Sequence, residues 1–130
     1  MPHFIMEYSA NLDDDLNIPA LFEKINETAI ATGVFPIGGI RTRAIRCEHY
    51  RIGEGDPDNT FVHLTAKVGV GREPDVLTNA ADKIFDTFTE YLKPVFEKRW
   101  MSIGFELIEL HPERNYRLNN IHQKLQDEIV

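Results

Sequence analysis

The residues best suited to chemistry are a proline directly after Met1 and the arginines that follow glycine-containing turns. Pro2 would carry a free secondary amine once Met1 is removed, and its small side chain should permit that removal. An α-amino group has an ordinary pKa near 8, which burial and nearby guanidinium groups would lower towards neutrality. The amine would then be a free base at physiological pH, as general base catalysis requires.

Arginine is the side chain that binds carboxylates through two parallel hydrogen bonds. Arg41 follows Gly38-Gly39, and Arg72 follows Gly69-Val70-Gly71. For each of them the residues alone leave two interpretations open, ligand binding and a solvated surface charge. For the turn before Arg72 we favour a tight turn over an anion-binding helix entry, which stays open as the alternative. Solvated charge is the interpretation we favour for Arg43, Arg46 and Arg51.

Other kinds of catalytic site find little support. No serine lies in a Gly-x-Ser-x-Gly turn, and Cys47 has its nearest histidine, His49, two positions along a predicted strand. A free cysteine of this kind is more often a buried structural residue than a nucleophile. The histidines show no spacing typical of metal ligands; they are His3, His49, His63, His111 and His122. We therefore expect neither a nucleophilic triad nor a metal site.

Length and composition predict one soluble domain. The chain has 130 residues, of which 42% are apolar and 27% charged, and no run approaches the roughly 20 apolar residues of a membrane span. The amino terminus lacks the basic and apolar regions of a secretory signal, and a single cysteine cannot form an internal disulfide. A cytoplasmic protein with no membrane contact is expected.

The charge pattern favours a small anionic ligand. A net charge of −7 arises from 21 acidic against 14 basic residues, which disfavours binding to nucleic acid. Four arginines nevertheless fall within residues 41–51, a stretch that contains one acidic residue, Glu48. An acidic protein with a local arginine cluster suits a small carboxylate better than a polymer of phosphates.

Apolar spacing predicts four strands and two main helices. Alternation predicts strands over residues 2–9, 40–51, 61–70 and 101–110. Pro19, with Asn17 as a candidate cap, starts a helix that ends before Gly33, and Pro74 starts a second helix. Pro94 should kink the second helix or hasten its end. The predicted apolar faces are Ile18, Leu21, Phe22, Ile25 and Ala29, then Leu77, Ala81, Ile84, Phe88, Leu92 and Val95.

This order of elements predicts an α+β fold made of two tandem β-α-β units, about 2–51 and about 61–110, followed by a tail, 111–130, with a short helix over 119–127. Strands should pair in parallel within each unit, with both helices on one face of a single four-stranded sheet. We expect the opposite face to be buried by other subunits, because we place too many apolar groups on it for solvent contact. Those residues include Phe61, Met101, Ile103 and Phe105.

Four stretches, spread over nearly the whole chain, carry a resemblance to a known family. They are Pro2-His3-Phe4-Ile5 with Glu7, the segment from Ala31 to Arg43, the segment from Phe61 to Arg72, and Phe105 to Pro112 leading to Asn115 and Asn119-Asn120-Ile121-His122. In these the chain resembles the 5-carboxymethyl-2-hydroxymuconate isomerases of the tautomerase superfamily. The Gly-Ile-Arg-x-Arg, Gly-x-Gly-Arg and Asn-Asn-x-His motifs are the most specific part of the likeness.

The resemblance implies a homotrimer built around a central barrel of sheets, and it implies a reaction. A dienol tricarboxylate from the breakdown of homoprotocatechuate and 4-hydroxyphenylacetate would be converted to its conjugated keto isomer. Pro2 would take the enol proton and return one to a distal carbon, while Arg41 and Arg72 would bind carboxylates and stabilise the dienolate. No cofactor is implied, because the substrate is acidic enough for an amine to deprotonate.

Two alternatives stay open at this point. The same fold could serve a hydratase or dehalogenase acting on an unsaturated acid. The chain could also be a non-catalytic trimeric protein that binds small anions, if Met1 is retained. In that case the Pro2 nitrogen would be an amide without a basic lone pair.

Overall fold

The computed structural model describes the backbone of residues 1–129 and the side chains of residues 1–126. Its elements confirm the predicted order of two strand-helix-strand units and a terminal helix. They are β1 (His3–Ser9), α1 (Ile18–Ala31), β2 (Arg41–Cys47), β3 (Asn59–Val68), α2 (Pro74–Phe96), β4 (Trp100–Glu109) and α3 (Ile121–Ile129), with short 3₁₀ turns at Ala10–Leu12 and Ile37–Gly39.

The four strands form one mixed sheet in the order β2-β1-β3-β4. β1 pairs in parallel with β2, and β3 pairs in parallel with β4, as predicted for each unit. The two units meet at the antiparallel pair β1 and β3, where His3 lies opposite Lys67. The starts of β1 and β2 therefore lie at the same edge of the sheet as the ends of β3 and β4.

Strand alternation directs one face of the sheet towards the helices. In β3 every second residue from Thr60 to Val68 is buried, and Phe4, Met6 and Tyr8 of β1 point to the same side. α1 packs on them through Leu21, Ile25 and Ala29, and α2 packs through Leu77, Ala80, Ile84, Phe88 and Leu92. The core thus lies between the sheet and both helices, which confirms the predicted layering.

Helix ends follow the local signals in the sequence. The side-chain oxygen of Asn17 accepts a hydrogen bond from the amide of Ala20 at 3.2 Å, which caps α1. α1 ends two residues before Gly33, which adopts a φ of 71°. α2 ends at Phe96, within one turn of Pro94, as expected for a residue without an amide proton.

Three predictions about packing were wrong. Met101, Ile103 and Phe105 of β4 pack against the core, because the register pairs Ile103 with Val62 and leaves Ser102 beside Phe61 on the open face. The buried alanine of α2 is Ala80, with 2% of its surface exposed, since a period of 3.6 residues allows either neighbour. Cys47, expected to be buried, is half-exposed at the end of β2.

The sheet face turned away from the helices mixes charged and apolar side chains. Ile45 is 51% exposed and Ile108 is 36% exposed, whereas Phe61 is half-buried beside Tyr50. We call this surface the open face. Among residues 1–129, no helix combines the length and apolar character needed to cross a membrane.

Candidate active site

A cavity of about 1100 Å³ opens at the sheet edge where β1 and β2 begin and β3 and β4 end. Its walls come from the amino terminus, the start of β2, the turn after β3 and the segment 111–119 that follows β4. The lining residues are Met1, His3, Pro36, Arg41, Gly69, Val70, Gly71, Arg72, His111, Pro112, Asn115, Tyr116, Arg117, Leu118, Asn119 and His122.

The amino group of the chain lies in this cavity. Met1 is half-buried, and its amine packs against Gly39, where a side chain would collide with it. Burial first, then the positive charges of Arg41, Arg117 and Arg72, lower the pKa of this amine below its ordinary value. The site therefore favours an uncharged, proton-accepting amine at the chain terminus.

Pro2 is buried directly behind Met1 and does not itself line the cavity while Met1 is attached. Its carbonyl oxygen accepts a hydrogen bond from the backbone amide of Arg41 at 3.0 Å. This bond continues the pairing of β1 with β2 and fixes the terminus next to Arg41. Removal of Met1 would leave the Pro2 nitrogen as the first atom of the chain, at the wall of the cavity.

Arg41 lies at the first position of β2, opposite His3 in the register. One of its terminal nitrogens donates a hydrogen bond to the carbonyl oxygen of Gly39 at 2.8 Å. The side chain is half-buried and lines the cavity, so the remaining N–H groups are available to a bound anion.

Arg72 lies in the turn between β3 and α2 and is held by backbone oxygens. It donates to Gly69 at 3.1 Å and twice to Val34, at 3.3 and 3.2 Å. Its guanidinium also stacks over the ring of Phe35, 5.1 Å from the ring centre. Three of its five N–H groups are thus occupied, and two can reach a ligand.

His3 is a site residue that sequence reasoning did not single out. Its side chain lies on the same sheet face as Arg41, and its Nδ1 is 3.1 Å from a guanidinium nitrogen of Arg43. Burial lowers the pKa of His3, and the charges of Arg43, Arg41, the amino terminus and Lys67 lower it further. The sequence signal that could have found it is the period of two that places residue 3 at the start of a strand beside the terminus.

The segment after β4 supplies the other residues that were missed. Asn119 joins this segment to the opposite wall, because its side-chain nitrogen donates to the carbonyl oxygen of Gly38 at 2.8 Å. Its side-chain oxygen accepts from the amide of Ile121 at 2.8 Å and so caps α3. His122 packs against Gly38, where there is no room for a side chain. The Asn-Asn-x-His motif, which carries part of the family resemblance, marked these residues in the sequence but did not predict what they contact.

The charge of the cavity is strongly one-sided. Its lining includes three arginines, Arg41, Arg72 and Arg117, and among the side chains that the structure describes, those of residues 1–126, no aspartate or glutamate contributes to it. Among the described residues, no group of three histidine, cysteine or acidic side chains is placed to hold a metal ion. A basic amine surrounded by guanidinium groups can bind a carboxylate ligand and exchange a proton with it.

A family model described as 5-carboxymethyl-2-hydroxymuconate isomerase matches residues 2–125, which include every element that builds this cavity. The chain belongs to the 5-carboxymethyl-2-hydroxymuconate isomerase family. The family and fold predicted from the sequence are therefore confirmed. The matched range ends inside α3, so this family's pattern includes the segment that carries Arg117 and Asn119.

Relatives of the family include the 5-carboxymethyl-2-hydroxymuconate Delta-isomerase of Escherichia coli, which is 38% identical over 122 residues, 94% of this chain and 97% of that protein. A crystal structure of a 5-carboxymethyl-2-hydroxymuconate isomerase from Deinococcus radiodurans R1 is 33% identical. It superposes with a TM-score of 0.89 and covers 95% of this chain and 93% of its own.

More distant structures share the fold alone. A member of the cis-3-chloroacrylic acid dehalogenase family, 13% identical, has a TM-score of 0.67 and covers 98% of this chain and 97% of its own. A fused 4-OT symmetric trimer, 17% identical, has a TM-score of 0.61 and covers 89% of this chain and 93% of its own. The isomerase family thus uses a sheet-and-helix framework that also occurs in proteins described as dehalogenases.

Proposed function

We propose that this protein isomerises 5-carboxymethyl-2-hydroxymuconate, or a similar unsaturated 2-hydroxy polycarboxylate, to its conjugated keto form. Its place would be in homoprotocatechuate and 4-hydroxyphenylacetate degradation in the cytoplasm. The single observation that carries the proposal is a half-buried terminal amine of lowered pKa in a cavity lined by Arg41, Arg72 and Arg117, to which no aspartate or glutamate among residues 1–126 contributes. The membership of the family named for this reaction supports it.

The base in this proposal is the secondary amine of Pro2 in a chain that has lost Met1. The unprotonated amine takes the proton of the enol hydroxyl, and the electron pair released flows through the diene. The protonated amine then delivers a proton to a distal carbon, which gives the conjugated ketone and restores the base. A positioned base of matched pKa contributes about 10²–10⁴-fold to the rate.

Arg41 and Arg72 bind and stabilise the negative charges of the substrate in this proposal. Each keeps N–H groups that are not used by backbone oxygens, and each is fixed by the oxygens that it does bind. They bind substrate carboxylates and stabilise the negative charge that spreads over the dienolate. Because they are already oriented before substrate arrives, little reorganisation is needed during the reaction.

The test of Pro2 compares the same chain with and without Met1, with intact mass recorded for both preparations. We expect depletion of the dienol absorbance by the trimmed chain and at least a 100-fold lower rate when Met1 is retained, because the nitrogen is then an amide. Pro2→Ala should also lose most of the rate, while Pro57→Ala, outside the cavity, serves as the control. A Pro2→Ala enzyme with undiminished rate would sink the proposal.

Two other functions are outcomes of the same experiment. Because the fold is shared with a dehalogenase family member, analysis of the product separates isomerisation from addition of water or release of halide. Uniform retention of Met1 in protein from its native host would favour a non-catalytic protein that binds small anions, since Met1 itself occupies part of the cavity.

The assembly that fits this proposal is a homotrimer. A protein of the same fold is described as a symmetric trimer, and the open face exposes Ile45 and Ile108 in the single subunit. Burying such side chains against two further copies would remove apolar surface from water. The proposed partners are therefore two identical subunits and a small carboxylate substrate, with neither nucleic acid nor membrane.

A further inference from the structure

A third guanidinium, that of Arg117, lies at the cavity and has no part in the mechanism described above. It is carried by the irregular segment between β4 and α3, which lines the cavity together with Arg41 and Arg72. One of its terminal nitrogens would lie 3.8 Å from a Cβ placed on Gly69, so Arg117 sits directly over the turn that leads to Arg72. Its charge is also among those that lower the pKa of the terminal amine.

Arg117 differs from the other two arginines in its hydrogen bonds. Arg41 and Arg72 are held by backbone oxygens, whereas within residues 1–126 no hydrogen bond or ion pair engages the Arg117 side chain. Elsewhere in the chain Arg46 and Arg99 are neutralised by aspartates. The guanidinium of Arg117 therefore faces the cavity with its donors available to an anion.

The segment that carries Arg117 is anchored on both sides. At its start, the amide of Leu110 donates to the oxygen of Val68 at 2.7 Å, and the ring of His111 accepts from the amide of Arg114 at 2.7 Å. At its end, Asn119 binds the carbonyl oxygen of Gly38. Because both ends of this short segment are hydrogen-bonded, Arg117 is held at the cavity.

The proposed substrate has three carboxylates, two on the muconate chain and one on the carboxymethyl arm, and the cavity has three arginines. We propose that Arg117 binds the carboxylate of the carboxymethyl arm and makes the site prefer tricarboxylates over dicarboxylates that lack this arm. The assignment of the arm rests on the proposed function. The preference for a third carboxylate rests on the position and available donors of Arg117 alone.

The kinetic test uses Arg117→Gln, which keeps length and polarity but removes the charge. For 5-carboxymethyl-2-hydroxymuconate we expect KM to rise about 5- to 20-fold with kcat little changed, a modest effect because the side chain is solvent-exposed. Both substrates are assayed above the pKa of the amine, where loss of the Arg117 charge no longer changes the fraction of unprotonated base. For 2-hydroxymuconate, which lacks the arm, kcat/KM should then change less than about 2-fold, because the lost contact does not exist there. Arg117→Lys should restore part of the affinity for the tricarboxylate.

The matched control is Arg114→Gln, which removes the same charge from the same segment but not from the cavity lining. It should leave unchanged the ratio of kcat/KM for 5-carboxymethyl-2-hydroxymuconate to kcat/KM for 2-hydroxymuconate. Equal losses for both substrates in Arg117→Gln, or no loss for either, would overturn the proposal, because both results deny a subsite for the third carboxylate.

A binding measurement separates this proposal from the proposed function. Propane-1,2,3-tricarboxylate and glutarate are titrated calorimetrically at low salt into trimmed wild-type protein and into Arg117→Gln. We expect the substitution to weaken the binding of the tricarboxylate by about 5- to 20-fold and to leave the affinity for glutarate unchanged. If wild type isomerises neither dienol yet shows this selective loss, the proposed function fails and the subsite stands. If the isomerase is active and the loss is not selective, the subsite fails alone.

Discussion

The terminal amine is the residue-scale feature on which the site depends. The hydrogen bond from the amide of Arg41 to the carbonyl oxygen of Pro2 extends the pairing of β1 with β2 and holds the chain terminus beside Arg41. Burial and three guanidinium groups disfavour the protonated form of the Met1 amine. We therefore expect the arginines that attract a carboxylate also to favour the unprotonated form of the Pro2 amine once Met1 is removed.

A pH prediction follows at this scale. In trimmed protein, kcat/KM should rise with pH through the pKa of the Pro2 amine, because the unprotonated form is the active one. We expect that pKa to be lowered as well, because the Pro2 nitrogen would take its place at the cavity where burial and the charges of Arg41, Arg117 and Arg72 lower the pKa of the Met1 amine. Arg41→Gln removes a positive charge beside the amine and should move the midpoint to higher pH. Titration of ¹⁵N-labelled Pro2 by NMR measures this directly.

Arg114→Gln serves as the comparison in that titration, since Arg114 is not among the charges that act on the amine. Its midpoint should equal that of wild type. A midpoint that stays the same in Arg41→Gln as well would mean that the arginines do not set the basicity of the amine, and would contradict the account given for the site.

At the scale of elements, one edge of the sheet gathers the whole site. The starts of β1 and β2 bring His3 and Arg41 together, and the ends of β3 and β4 bring in Arg72 and the segment with Arg117. Asn119, just before α3, and His122 within α3 close this edge by contacting the turn before Arg41. α3 thus supports the turn at Ile37–Gly39, from which β2 and Arg41 follow.

Gly38→Ala tests this support. A Cβ on Gly38 would stand 2.7 Å from the ring Nδ1 of His122 and 3.1 Å from its backbone nitrogen, so α3 must move. Overpacking of this kind costs about 1–3 kcal/mol, and we expect amides of α3 to exchange with deuterium roughly 10-fold faster or more. Mass spectrometry of deuterated peptides gives the rates.

Gly69→Ala is the matched substitution, because a Cβ there meets only Arg117, at an ordinary contact distance of 3.8 Å. Exchange in α3 should stay near the wild-type rate. Unchanged exchange in Gly38→Ala would show that α3 is not held by its contact with the turn at Ile37–Gly39.

Most elements could be predicted from sequence because their signals are local. Asn17 and Pro19 mark the start of α1, and alternation in β3 marks its buried face without help from other elements. The face of β4 could not be assigned in this way, because both of its sides carry large apolar residues, Phe105 on one and Ile108 on the other. Only the pairing with β3 decides which side meets the core.

The part of the candidate site that lies at the start of a strand or after a glycine-containing turn could be singled out from the sequence. Pro2, Arg41 and Arg72 were singled out from their places after the terminus and after glycine turns, and the structure brings the amino terminus and both arginines to one cavity. Arg117 lies in a segment without periodicity, and its position depends on a contact between Asn119 and Gly38 that is 81 residues apart in sequence. No local pattern reports such a contact.

At the scale of the whole molecule, the open face is the surface that a trimer would bury. Ile45 lies on this face in β2 and is 51% exposed in the single subunit. We expect wild type to sediment as a trimer and Ile45→Arg to sediment as a monomer at micromolar concentration, since an unpaired buried charge is costly.

The control for this substitution is Val76→Arg, at a residue that is 43% exposed on α2, in the layer on the other side of the sheet. It should leave sedimentation unchanged. A monomeric wild type, or a trimer that survives Ile45→Arg, would argue against the open face as the contact between subunits.

The burial of the first two residues also has a consequence for the order of events in the cell. Pro2 is buried and Met1 is half-buried beneath guanidinium groups, so the peptide bond between them is shielded in the folded protein. An aminopeptidase must reach that bond to cleave it, and burial of Pro2 in the folded chain opposes this. We therefore expect Met1 to be removed while the chain is still emerging from the ribosome. A chain that folds before this step should keep Met1 and remain inactive.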